Sequence, residues 1–179
     1  PNPLDYVQAL DAATGKVKWE YKRQLPDNIT RFIPFPSINR NLAIYGNTII
    51  DTSADDFVYA LDTATGKLVW DYQFPCAAAD PNGYPGPRCT PTVDSGMVFA
   101  VSRRGHVLCL SADKGALLWT KHLVNDFGGD VPTWGFSGSP LVEGEMLILE
   151  TGAPGRGLAA LDKKTGRVLW ANGNMGAGY

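Results

Sequence analysis

Apolar runs along this chain are short, and Gly-containing turns separate them. Ser139 to Gly144, Met146 to Gly152, Leu158 to Asp162 and Arg167 to Trp170 follow one another in this way, which is the pattern of a four-stranded antiparallel meander. The same succession occurs twice upstream. Asn41 to Gly46, Thr48 to Thr52, Val58 to Asp62 and Lys67 to Trp70 form one copy; Pro91 to Gly96, Val98 to Val101, Val107 to Leu110 and Ala116 to Trp119 form the next. A lone pair, Tyr6 to Leu10 and Lys16 to Trp19, stands before them. The pattern predicts an all-β chain with no helix of useful length.

One eleven-residue stretch sets the period. Ala9 to Trp19 reads Ala-Leu-Asp-Ala-Ala-Thr-Gly-Lys-Val-Lys-Trp, and related copies run from Ala60 to Trp70, Cys109 to Trp119 and Ala160 to Trp170. The tryptophans fall 51, 49 and 51 residues apart. Such a period, with β-rich sequence between copies, marks a radial repeat in which each unit packs only on its neighbours. The fold class that follows is a β-propeller segment of about 3.5 four-stranded antiparallel blades. The expected division is a half-blade over 1–22, blades over 38–74, 88–123 and 136–172, and the start of a further strand over 173–179.

Each position of the repeat has a mechanical reading. Asp11, Asp62 and Asp162, with Thr14, Thr65 and Thr165, are placed to bond backbone N–H groups of a tight turn. Gly15, Gly66, Gly115 and Gly166 supply a positive φ before the outer strand begins. Trp19, Trp70, Trp119 and Trp170 then offer a large flat face, and Ala9, Ala60 and Ala160 are small enough for a neighbouring blade's ring to lie against them. These residues are expected to act as clasps between blades. The third copy departs from the pattern, with Cys109, Ser111 and Lys114 in place of Ala, Asp and Thr.

Composition narrows the partners. Sixteen Lys plus Arg against 18 Asp plus Glu leave a net charge of −2 with no block of one sign, so a nucleic-acid partner is disfavoured. No apolar run approaches the roughly 20 residues of a membrane span, and Pro1-Asn2-Pro3 lacks the charged and apolar regions of a signal peptide. The 20 glycines and 13 prolines are spread through turns, so order is expected throughout.

The repeat Ala-Leu-Asp-x-x-Thr-Gly-Lys-x-x-Trp resembles the tryptophan-docking motif of the quinoprotein dehydrogenases. Those are eight-bladed propellers that carry pyrroloquinoline quinone (PQQ) and Ca²⁺ and oxidise alcohols or sugars in the bacterial periplasm. The resemblance covers nearly the whole chain and implies an eight-bladed ring, an exported compartment and those cofactors. Relatives with the same repeat bind no cofactor, among them a propeller lipoprotein that scaffolds outer-membrane protein assembly, so a non-catalytic scaffold stands beside the enzyme. Leu25 to Asn28 and Ser37 to Gly46 are similar to early blades of the methanol and ethanol dehydrogenase branch. Pro87 to Val93 and Trp134 to Val142 look more like PQQ-like repeat proteins of unassigned function, and the turn-rich stretch from Cys76 to Cys89 is the expected seam.

Residue by residue, the resemblance implies that Arg40, following Asn39, contacts the cofactor. Its guanidinium fork suits a carboxylate; a rim residue paired to a local acid is the alternative. Pro34 and Phe35 stand where the dehydrogenases carry two adjacent cysteines. Ser137, Thr151 and Gly152 resemble cofactor-side positions of a later blade, but Pro154 occupies the place of the Ca²⁺-binding Glu, and Ca²⁺ takes about six to eight oxygens. An extra blade separates Arg40 from Ser137, and the catalytic Asp of that branch has no counterpart. Catalysis complete within this chain is not expected, and no catalytic residue or metal ligand is assigned.

Other chemistry is limited. Cys76 and Cys89 flank a Pro/Gly loop short enough to close as a disulfide, with two free thiols as the alternative, and Cys109 reads as a buried thiol. A bridge would suit an oxidising compartment. His106 and His122 lie on different strands with no Cys or carboxylate at zinc spacing. Asp55-Asp56 and Glu143-Gly-Glu145 read as solvated turn acids, and Arg103-Arg104 as a soluble turn, with contact to an anionic surface as the alternative. Trp134 and Phe136 either line a channel mouth or pack between blades. Propellers protect their blade edges by closing a ring, so this chain is expected to be a segment of a longer protein or to associate with itself.

Overall fold

The computed structural model describes residues 6–30, 42–76 and 86–178. Strands β1 (Tyr6–Leu10) and β2 (Val17–Lys22) form a two-stranded antiparallel sheet. Three four-stranded sheets follow, and the strands of each lie in chain order. The first contains β3 (Leu42–Tyr45), β4 (Thr48–Ser53), β5 (Phe57–Asp62) and β6 (Leu68–Gln73). The second contains β7 (Thr92–Asp94), β8 (Met97–Val101), β9 (His106–Ser111) and β10 (Leu117–His122). The third contains β11 (Leu141–Glu143), β12 (Met146–Ala153), β13 (Arg156–Asp162) and β14 (Val168–Asn172). Two single-turn helices, α1 (Asp27–Thr30) and α2 (Leu123–Phe127), sit in the connections. The architecture is a partial propeller. No helix among the described residues is long and apolar enough to cross a membrane.

Burial explains why the middle strands read as continuous apolar runs. β8 is buried at all five positions because the blade that contains it has a neighbour on each face. One face carries Val98 and Ala100 into a core with Ile50, Val58, Ala60 and Trp70, and the other carries Phe99 and Val101 into a core with Leu147, Leu149 and Leu161. Outer strands such as β2 and β14 are exposed at most positions.

The repeat turns form as their residues dictate. Asp62 Oδ1 accepts from the backbone N–H of Thr65 at 2.8 Å and from its hydroxyl at 2.6 Å, and Gly66 follows at φ +69°. The turns at Asp11 and Asp162 have the same bonds, and at Ser111 a serine hydroxyl takes over by accepting from Ala116 N–H at 3.1 Å. Between blades, the indole of Trp19 donates to Thr63 O at 2.9 Å, Trp70 to Ala112 O at 2.9 Å and Trp119 to Lys163 O at 3.0 Å. Each ring is seated on the glycine of the next turn, Gly66, Gly115 or Gly166, where a Cβ would overlap it. That differs from the expectation that the ring would lie against alanine. Ala60 instead pairs across its own sheet with Trp70, while the glycine offers the only Cβ-free surface on the turn.

Candidate functional site

In a meander whose strands alternate in direction, the β4–β5, β8–β9 and β12–β13 turns share one end with the connections that pass between blades. Polar and ionisable side chains gather there. At the first turn Asp55 accepts from Arg23 Nε at 2.9 Å and from the Ser53 hydroxyl, and Arg23 reaches Asp71 at 3.2 Å while stacking over Phe57. Asp51, fully buried, accepts from the Tyr59 hydroxyl at 2.9 Å.

Asp56, also fully buried, takes a positive φ of 62°. Burial raises its carboxyl to about pKa 6, against the opposing pull of Arg103 on the next blade and of the Cys76 thiol. The sequence marked Asp55, Asp56 and Arg103 as solvated; all three are buried, because Gly86 in the connection lies against Ala54 and Arg103 carries Gly135 on its backbone. No local signal marks such burial, which depends on segments 30 residues distant.

The three cysteines are free thiols, so the Cys76–Cys89 bridge does not form. Cys76 is drawn to Asp56, whereas Cys89 points into the core between the second and third blades and donates to Phe136 O at 3.5 Å. Burial pushes each of the three thiols up to about 12, which keeps them protonated and unreactive.

At the second turn, Ser102 Oγ lies 3.1 Å from His106 Nδ1. The His106 and His122 rings meet edge to face at 4.5 Å, and His122 Nδ1 accepts from Val124 and Asn125 N–H to cap α2. Burial and then His122 hold His106 below the ordinary histidine range. Trp134 is exposed, whereas Phe136 is buried against Gly105 in the interblade core.

At the third turn two of the sequence-predicted residues come together around the chain's final stretch. Ser137 Oγ donates to Gly178 O at 2.9 Å, and Gly152 lies against Ala177. Glu150, which sequence reasoning passed over, accepts from Gly178 N–H at 2.9 Å and adjoins Gly138. Thr151 is close by, but it is buried and its hydroxyl donates to Arg156 O within its own hairpin. Arg40 lies outside the described residues, as do Pro34, Phe35 and Asn39. Among the described residues no group of three or more His, Cys, Asp or Glu side chains converges to hold a metal ion, and Glu150 alone falls well short of a Ca²⁺ shell.

The family model described as "Outer membrane protein assembly factor BamB" matches residues 5–83 and 54–177. A quinoprotein alcohol dehydrogenase of Pseudomonas putida is 32% identical over 70% of this chain and 21% of its own length. A quinoprotein ethanol dehydrogenase of Pseudomonas aeruginosa is 29% identical over 94% of this chain and 30% of its own length. The chain thus spans about a fifth to a third of these relatives. Among solved structures, a quinohemoprotein alcohol dehydrogenase from Comamonas testosteroni superposes with a TM-score of 0.72 at 20% identity, over 97% of this chain and 33% of that one.

Proposed function

Because the chain belongs to the PQQ-repeat β-propeller family, we propose that it is a segment of a PQQ-dependent alcohol or sugar dehydrogenase-like propeller, exported to the periplasm, that contributes cofactor contacts without completing catalysis. The observation that carries this reading is the convergence of Ser137, Gly152 and Glu150 at the connection end of the last blade. Bound there, a quinone of this kind supplies the acceptor for the hydrogen and electron pair leaving an alcohol carbon. This chain's part is binding and orientation. Arg40 would pair with a cofactor carboxylate through its guanidinium fork, while Ser137, bonded to Gly178, and Gly152, packed against Ala177, would fix that stretch of chain beside the cofactor. Thr151 would hold the turn. Ca²⁺ has no matching donor set among the described residues, so no step is assigned to it.

Titration with PQQ tests the proposal. Quinone absorbance retained with the protein after desalting, and reduced in Arg40→Gln and Ser137→Ala, is the expected outcome; no retention by well-folded protein overturns it. A second reading, a non-catalytic scaffold that presents its turns to a protein partner, is favoured by Pro154 where the dehydrogenases place a carboxylate and by the description of the matching family. In either case the open blade faces would be covered by further blades or by another copy of the chain.

A further inference from the structure

We propose that the groove between the first and second full blades, at the end opposite the connections, takes a lysine side chain of a partner protein. The inference supplies the partner chemistry for the scaffold reading and rests on it; PQQ retention is read separately, so the two tests fail independently. Thr63, Ala112 and Lys163 occupy one position in three successive blades. The carbonyl of each accepts from the indole of the preceding blade. The backbone N–H of each donates to the second residue of a neighbouring two-residue turn, Asn47 O at 2.9 Å, Gly96 O at 2.8 Å and Glu145 O at 3.0 Å. Between the second and third full blades Lys163 fills the joint with its side chain, which is only 6% exposed. Its ammonium donates to Asp94 Oδ2 at 2.8 Å on the preceding blade and to Gly144 O at 2.7 Å on its own, with Glu145 Oε1 at 3.4 Å.

One joint earlier, the same place is open. Ala112 stands where the next blade has Lys163, Gly96 where it has Glu145, and Tyr45 ends β3 where Asp94 ends β7. The side chains that close the other joint are thus missing, and a groove of about 350 Å³ remains between Tyr45 and Asn47 on one blade and Gly96, Ala112 and Asp113 on the next. Asp113 is the charged residue of this lining, and the exposed Lys114 ammonium stands 4.0 Å from its carboxylate. A lysine side chain suits the groove in both its parts. The stem would lie along apolar surface, and the ammonium would meet the Tyr45 ring and the Asp113 carboxylate. Tyr45 is 41% exposed and the Asp113 side chain 70%, so the groove admits a side chain and leaves its backbone outside. A small-ligand site, by contrast, buries about 70–90% of its ligand.

Titration of the isotope-labelled whole chain with a capped Gly-Gly-Lys-Gly-Gly peptide should give saturable NMR shifts at the amides of Asn47, Gly96, Ala112 and Asp113. The same peptide with norleucine for lysine keeps the carbon stem without the ammonium and should bind ~10-fold more weakly. Asp113→Asn and Tyr45→Leu should each weaken the lysine peptide ~3-fold. Ala112→Lys supplies from within the chain the side chain that the neighbouring joint carries, and should abolish binding; Asp113→Asn decides the matter if that variant disturbs its turn. Well-folded protein that shows no saturable shift at these amides overturns the inference, as does a norleucine peptide that binds equally well. Butylammonium that binds more tightly than the peptide assigns the groove to a free amine and overturns the partner. Shifts at Gly96 and Asp113 on raising the protein concentration without peptide assign it to another copy of the chain, with the same consequence.

Discussion

Asp56 is fully buried beside Arg103, and burial, the largest influence on it, raises its carboxyl from the ordinary 3.8 to about 6. Between those values the native chain holds a proton that the unfolded chain has released, so stability falls as pH rises through this window and levels off above it. The full effect is roughly 3 kcal/mol. Arg103 and Arg104 oppose it, while Asp55 adds to it. Asp56→Asn should abolish the fall, which urea denaturation at a series of pH values would read as a flat profile where the wild type slopes; an unchanged slope would assign the titration to another group. Asp11, Asp62 and Asp162 behave in the opposite sense. The hydroxyls and backbone N–H groups of Thr14, Thr65 and Thr165 hold their carboxyls below the usual range. Their stabilisation is therefore complete above about pH 4 and is lost as pH falls through the folded values. Replacing all three by serine, the residue the third copy carries at position 111, should flatten the acid limb of the same profile.

Among the elements, the β-turn before each outer strand separates local strain from contact with the next blade. Gly15 and Gly115 have φ of +69° and +65°, but only Gly115 lies under an indole, that of Trp70. Alanine at Gly15 should cost about 1 kcal/mol, the penalty for a left-handed residue with a Cβ. Alanine at Gly115 pays that and must also displace the ring, so its loss should be at least twice as large in chemical denaturation. Equal losses would mean that the indole adapts freely. These turns were legible in the sequence because Asp, Thr and Gly act within a few residues of one another, and the period then gave the number and order of strands. The surface on which each ring rests was not legible, since it belongs to a turn some 45 residues away. Helix α2 escaped notice because its cap is a histidine, His122, whose Nδ1 does the work usually given to Ser or Asp. Asp56 and Arg103 were misjudged for the same reason as the indoles: their burial is set by neighbouring blades and by the connections that cross them.

At the scale of the molecule, stability should be distributed along the array instead of being uniform, because each blade is held only by the blades beside it. The sheet of β7–β10 has a packed core on both faces, whereas the β1–β2 sheet is held on one face by Val7, Trp19 and Tyr21 against the first full blade. The last blade likewise packs on one side, with Trp170 open on the other. Native-state hydrogen exchange at low protein concentration should therefore find the greatest protection in β8 and β9, less in β12 and β13, and the least in β1 and β2, which open without the rest. Uniform protection would mean that the blades unfold as one cooperative unit.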